Sequence, residues 1–380
     1  MANKLVARKK IATHIIRENS LVKKKRSLKR VVILVIIICM LIAATVLLIL
    51  HFVLNGNSNY PIDIGIYSYE IINKYNHIHD PIIGKQANVD SIIHQRYINN
   101  HPFTQGLLYI DGNTLIESSG LYAVSYLRKF KLNTGATERY YNLTNNYFAE
   151  GIALVVEPET YRKFIFVLTY KENTILVFDY NTFELYNTFE HDLNGYGLTS
   201  NLDPIHSIED LKNGKFANYQ KLWTTSGSEF LYELEIPNNF KKTNKINIIN
   251  KKKVTCAGFT IKHINELEYH LQEKTIYANI FMTNLVIEID ISRGSCLKII
   301  NLSGLIDQNT NKQKTERNRE SFLNGIAINP VNSKEALPNL LVTGKFWPNL
   351  FEIKLVKTNG MNPNSVLVEY FKTIRHNNNP

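Results

Sequence analysis

The chain has 380 residues, 44% of them hydrophobic, and a formal net charge of +11. That apolar content suffices for a large packed core and excludes a disordered chain. The charge does not signal a nucleic-acid partner: residues 1–30 hold 11 Lys or Arg against Glu18, so residues 31–380 are close to neutral.

The basic tail, residues 1–30, leads directly into VVILVIIICMLIAATVLLILHFVL, residues 31–54, which has no charged side chain before His51 and neither proline nor glycine. About 20 apolar residues cross the hydrocarbon core of a bilayer, so this run is expected to be a transmembrane helix. A cleaved signal peptide would have a shorter apolar region followed by small residues at a cleavage site. A buried core helix would keep a polar face. Positive charge stays cytoplasmic, so the expected topology is a single-pass type II signal-anchor, with residues 55–380 lumenal or extracellular in the secretory pathway. Cys39 lies in the span, leaving Cys256 and Cys296 outside. A bridge between those two is allowed in that compartment, but a domain of this size has to close by packing. Sequons at Asn142/Thr144 and Asn301/Ser303 fit the same topology.

Residues 55–98 have mixed polarity and read as a stalk or lead-in. From about residue 99 to 380, short alternating runs rich in Tyr, Phe, Ile and Val are separated by Gly, Asn and Asp, the pattern of strands joined by tight turns. Helical periodicity is confined to 203–212 and 312–320. An alternating strand followed by a turn begins at Leu127, Leu176, Leu231, Val286 and Leu350, at intervals of 49, 55, 55 and 64 residues. Five all-β units of this length predict a five-bladed β-propeller, with 238–253 and 309–319 as basic, Asn-rich insertions. A β-sandwich also has frequent turns, but gives no reason for one hairpin type to return five times. A propeller collects residues from every blade at its central channel, so the candidate site residues are those at equivalent places in successive units.

Several stretches break the alternation in Gly or aromatic contexts: HPFTQGL (101–107), ESSGLY (117–122), FAEGI (148–152), GYGLTS (195–200), INELEY (264–269), LNGIA (323–327) and VTGKFWP (342–348). In this order and spacing they resemble the plant and bacterial type of glutaminyl cyclase (glutaminyl-peptide cyclotransferase), a five-bladed propeller family. The likeness runs from about 101 to 356 and leaves the tail and the span outside it.

The resemblance implies conversion of the N-terminal glutamine of peptides and proteins to pyroglutamate with loss of ammonia. It implies Glu150 as proton shuttle, and Asn265 and Lys345 as groups that polarise the side-chain amide. Phe103 and Gln105 are implied as lining residues. Tyr170, Tyr196 and Phe281 stand where the family carries tryptophans; their faces can still shelter an amine, though Trp does so best. Glu117, Glu266 and Asn324 read as structural hydrogen-bonders. His263, His270 and Cys256 are too scattered for metal-ligand spacing, so neither a catalytic metal nor another cofactor is expected. A propeller that binds peptides or surface ligands without catalysis remains the alternative.

Overall fold

The computed structural model describes residues 36–43, 45, 63–78, 101–202, 220–309, 321–329 and 335–377. Two compact units are separated, residues 1–62 and 63–380. In the first, residues 36–43 and 45 are helical and exposed, and the rest of the expected span lies outside the described residues. Among the described residues no helix is long and apolar enough to cross a membrane. The helices expected at 203–212 and 312–320 also fall outside them.

The second unit is all-β and propeller-like. Strands β2 (Thr104–Asp111), β3 (Thr114–Ser119), β4 (Tyr126–Lys131) and β5 (Thr137–Asn142) form one four-stranded meander. A second contains β6 (Ala149–Val156), β7 (Lys163–Thr169), β8 (Thr174–Asp179) and β9 (Leu185–Glu190). A third contains β10 (Leu198–Ser200), β11 (Leu222–Thr225), β12 (Phe230–Leu234) and β13 (Ile248–Lys253). A larger sheet holds two further meanders. One is β16 (Ile264–His270), β17 (Thr275–Ile280), β18 (Leu285–Asp290) and β19 (Ser295–Asn301). The other is β20 (Leu323–Ile328), β21 (Leu340–Gly344), β22 (Asn349–Lys357) and, antiparallel to β22, the chain-distant β1 (Gly65–Asn76). Residues Gly65–Tyr67 of β1 also run parallel to β19 and join the two meanders.

Local chemistry explains the recurring turn. Asp179 accepts hydrogen bonds from the backbone N–H of Asn181 and Thr182, and Asp290 does the same for Ser292 and Arg293. Each Asp thereby stabilises the tight turn after its strand. Burial falls along each of the first three meanders. All of β6 is buried, whereas β5, β9 and β13 are mostly exposed, as expected when sheets pack radially with their first strands innermost. The innermost strands β2, β6, β10, β16 and β20 touch in sequence, and β20 touches β2.

Three segments differ from the sequence expectation. Residues 248–253, expected in a basic insertion, are strand β13; an outermost strand needs no apolar alternation because both faces meet water. Residues 65–76, expected in the lead-in, are the sheet strand β1. Helix α1 (Pro363–Asn377) was not expected; Val366, Leu367 and Tyr370 pack it against the core around Ile261 and Cys256. Cys256 and Cys296 are bridged, with Cα atoms 4.9 Å apart. The bridge ties β14 (Thr255–Cys256), which pairs with β15 (Phe259–Thr260), to β19.

The residue after β1 is locked into the next meander along the chain. His77 Nε2 lies 2.8 Å from Glu117 Oε1, Arg128 Nε donates to Glu117 Oε2 at 2.7 Å, and Thr104 Oγ1 donates to Glu117 Oε1 at 2.6 Å. Glu117 is fully buried; burial pushes its carboxyl up, but His77 and Arg128 outweigh this and hold it at about 2. Glu117→Gln leaves the Arg128 charge buried without its partner and is expected to cost about 3–5 kcal/mol in a denaturant melt. Because the folded carboxyl titrates below its ordinary value, the stabilisation is present above pH ~4.5 and is lost as the pH falls towards about 2.

Candidate active site

Four innermost strands slip register at the same level. The shifts fall between Thr104 and Gly106, Ala149 and Ile152, Ile264 and Leu267, and Leu323 and Ile326. Such bulges re-aim side chains, and the first residues inside them are Gln105, Glu150, Asn265 and Asn324, the last three followed by Gly151, Glu266 and Gly325. Glycines permit the close approach. A Cβ at Gly151 would meet the backbone of Leu198, and one at Gly197 the carbonyl of Asn265.

The bulged residues are connected. Gln105 Nε2 donates to Glu150 Oε1 at 3.1 Å. Asn324 Nδ2 donates to Gln105 Oε1 at 2.8 Å and to the Thr104 carbonyl at 2.7 Å. Asn265 Nδ2 donates to Asn324 Oδ1 at 2.9 Å, and Asn265 Oδ1 is buried without a partner among the described residues. Asn265 is held from behind by Thr225 Oγ1, which donates to its carbonyl at 2.7 Å. Ser118 Oγ donates to the Glu150 carbonyl at 2.5 Å.

Glu150 is only 4% exposed. Burial pushes its carboxyl well above the usual carboxylate range; the Lys345 cation opposes this, and the Glu172 charge adds to it. Lys345 follows β21, and its backbone bridges to Phe103. Its Nζ lies 4.7 Å from the Phe103 ring centre and 4.6 Å from that of Phe281, so the ammonium is held between two aromatic faces. The aromatic wall continues through edge contacts of Phe103 with Phe148 and Phe346, a tilted contact of Phe148 with Tyr170, and an edge contact of Tyr170 with Tyr196. Tyr122 adds to this wall against Phe148, and its hydroxyl donates to Glu172 at 2.7 Å.

Seven of the eight residues singled out from the sequence are each tied to another member by a hydrogen bond, a ring contact or the lysine's charge, and the eighth, Asn265, joins them through Asn324. Sequence reasoning read Asn324 as a structural hydrogen-bonder without foreseeing that it joins Asn265 to Gln105, and it missed the places of Glu172, Phe148, Tyr122 and Phe346. Phe148 and Asn324 stand inside the stretches 148–152 and 323–327, but nothing in a lone Phe or Asn distinguishes a wall residue or a link from a turn residue. Glu266, in contrast, serves the scaffold: its two carboxylate oxygens accept from the backbone N–H of Leu107 and Ile326. A small open pocket lies elsewhere, further along the same strands, lined by Leu108, Leu154, Ser200, Glu268 and Ile328. Among the described residues no group of three His, Cys, Asp or Glu is arranged to hold a metal ion.

Chemically, the site offers a dry carboxyl able to take and return a proton, a cation beside it, an open amide carbonyl, and aromatic faces for an amine or an apolar stem. The glutamine cyclotransferase family model matches residues 67–209 and 214–355. A glutaminyl-peptide cyclotransferase of Arabidopsis thaliana is 31% identical over 265 residues, which cover 70% of this chain and 70% of that protein. The crystal structure of a Myxococcus xanthus glutaminyl cyclase superposes with a TM-score of 0.56 at 26% identity, covering 78% of this chain and 100% of that one.

Proposed function

The chain belongs to the glutamine cyclotransferase family, and on that premise we propose that Glu150 carries the proton of a cyclisation run at the axis of a five-bladed propeller. The reaction is glutaminyl-peptide cyclotransfer: the α-amine of an N-terminal glutamine attacks its own side-chain amide carbon, pyroglutamate forms and ammonia leaves. The five blades are the three separate meanders and the two halves of the larger sheet, with β1 as the outermost strand of the last blade.

The observation that carries this reading is a buried carboxyl whose proton affinity is raised, yet which stands under the influence of a buried lysine. An ionised Glu150 takes a proton from the incoming ammonium and frees the amine as nucleophile. As the C–N bond to the new ring forms, the amide oxygen gains negative charge, which the Lys345 cation stabilises. Protonated Glu150 gives its proton to the departing nitrogen, collects the extra proton of the ring nitrogen, and passes it to the released ammonia as ammonium. The proton count closes, and no external nucleophile is consumed. Phe103, Tyr170, Tyr196 and Phe281 line the path for the glutamine stem and exclude water; Gln105 fixes the Glu150 carboxyl.

Full-length protein in detergent, incubated with a peptide that begins with glutamine, is expected to reduce the peptide mass by about 17 Da, the mass of ammonia. A peptide that is bound but unchanged by well-folded protein would favour a non-catalytic binding propeller. In the cyclisation reading the acid limb of kcat/KM belongs to Glu150. Glu172 raises that carboxyl, so Glu172→Gln is expected to move the limb to lower pH, as a pH series of initial rates will show.

The apolar run 31–54 behind a basic tail supports a type II membrane anchor with the propeller lumenal or extracellular, and the Cys256–Cys296 bridge fits an oxidising compartment. Resistance of the propeller to protease added outside sealed vesicles agrees with this topology; digestion with the tail protected contradicts it when the vesicles are cytoplasmic side out.

A further inference from the structure

The amide groups behind Glu150 form a hydrogen-bond ladder whose direction is fixed at one point. Asn324 has one end 2.7 Å from the Thr104 main-chain carbonyl, which can only accept, so that end is the NH₂ group. The same NH₂ lies 2.8 Å from Gln105, which must therefore present its carbonyl there and its own NH₂ to Glu150 Oε1. Glu150 Oε1 is then an acceptor, and the proton of the neutral carboxyl sits on Oε2. On the other side, Asn324 Oδ1 can only accept, so Asn265 turns its NH₂ inwards. Asn265 Oδ1 is left as a buried acceptor with no partner among the described residues. One main-chain carbonyl thus decides both the tautomer of the shuttle and the polarity that Asn265 shows to a ligand.

We propose that Asn324 is a positioning residue that sets this polarity without touching the substrate, so that Asn265 Oδ1 accepts from the amide NH₂ of the substrate glutamine while Glu150 keeps its transferable proton on Oε2. This rests on the cyclisation reading above. It refines the role expected of Asn265, which becomes an acceptor for the amide nitrogen; stabilising the developing oxyanion falls to Lys345. It also gives the site a reason to prefer glutamine over glutamate. The carboxylate of an N-terminal glutamate carries no N–H, and against Asn265 Oδ1 it would set acceptor against acceptor.

Two variants separate the ladder from a plain structural role. In Asn324→Asp the carboxylate cannot donate to Thr104 or Gln105. Gln105 turns to donate to it and shows its carbonyl to Glu150, which then has to hold its proton on Oε1. Asn265 keeps its inward bond. The expected result is a kcat lower by about tenfold or more, a KM within a few-fold of the parent, and an acid limb moved to higher pH. In Asn324→Ser the side chain is neutral and too short to hold either neighbour, so both are free to turn. The acid limb is again expected to rise, now without an added charge. The inhibition constant of a glutamate-starting peptide, relative to the KM of its glutamine twin, is expected to fall by about tenfold or more, because Asn265 can then offer its NH₂. The proposal is overturned if both variants, shown folded by thermal melts, keep the parent's acid limb and its ratio for the two peptides. Should Asn324→Asp fail to fold, Asn324→Ser alone decides. Parent protein that releases no ammonia overturns the cyclisation reading instead, and the two failures are distinct.

Discussion

Glu150→Gln is expected to lower kcat on glutamine-starting peptides by about 10²- to 10⁴-fold while leaving the fold and peptide affinity nearly intact. The replacement has the same shape, and its amide oxygen can still accept from Gln105 Nε2, now 3.1 Å from Glu150 Oε1. What disappears is the group that removes a proton from the amine and returns it to the leaving nitrogen. Single-turnover rates together with equilibrium binding of the same peptide separate the two quantities. Unchanged turnover would remove Glu150 from the chemistry; loss of binding in step with turnover would make it an anchoring group.

Lys345→Met is expected to cost about 10²- to 10³-fold in kcat, the scale of removing one preset donor from a developing oxyanion, or about 3–4 kcal/mol. Methionine keeps an unbranched apolar stem between the Phe103 and Phe281 rings, so the aromatic wall should persist. A second effect has a definite sign. The lysine cation lowers the proton affinity of Glu150, so its removal moves the acid limb of kcat/KM to higher pH, opposite to the shift expected for Glu172→Gln. Initial rates across pH on both variants test the pair. Shifts in the same direction would mean that neither charge acts on Glu150 as described.

How much of the fold was legible in the sequence depended on how local each signal is. The hairpin repeat showed because its turns are made by residues next to their strands, as Asp179 and Asp290 bond to the backbone two and three positions on. Strand β1 carried no such mark. Its partner β22 lies far along the chain, and pairing at that distance leaves no period to read, as the Asn73 to Glu352 bond across 279 positions illustrates. Strand β13 was hidden for a different reason: Lys251, Lys252 and Lys253 sit on an outermost strand where solvent, not a core, meets the side chains. In α1 a few apolar residues meet the core around Cys256, too sparse a stripe to rise above its polar neighbours.

The site divides in the same way. Glu150 and Lys345 were singled out by the resemblance that the stretches 148–152 and 342–348 carry, and Glu150, flanked by Phe148 and Ile152, also contradicts its surroundings. Asn324 gave no such contradiction, since an Asn before Gly ordinarily marks a turn. Only the bulge between Leu323 and Ile326, which brings it between Asn265 and Gln105, reveals that it connects them. Burial also assigns Glu117 and Glu266 to the scaffold, one through Arg128 and His77 and the other through two backbone N–H groups.

At the centre of the mechanism is a dry carboxyl at position 150 that holds its proton far above the pH at which an ordinary glutamate releases it. An infrared pH titration of the parent protein minus Glu150→Gln isolates that one group by its carboxylic-acid C=O band. The band is expected to persist well above pH 4.5, the ordinary glutamate value, and to give way only as the pH approaches the acid limb of kcat/KM. A band that vanishes near pH 4.5 would show a solvated, unperturbed acid and contradict the mechanism.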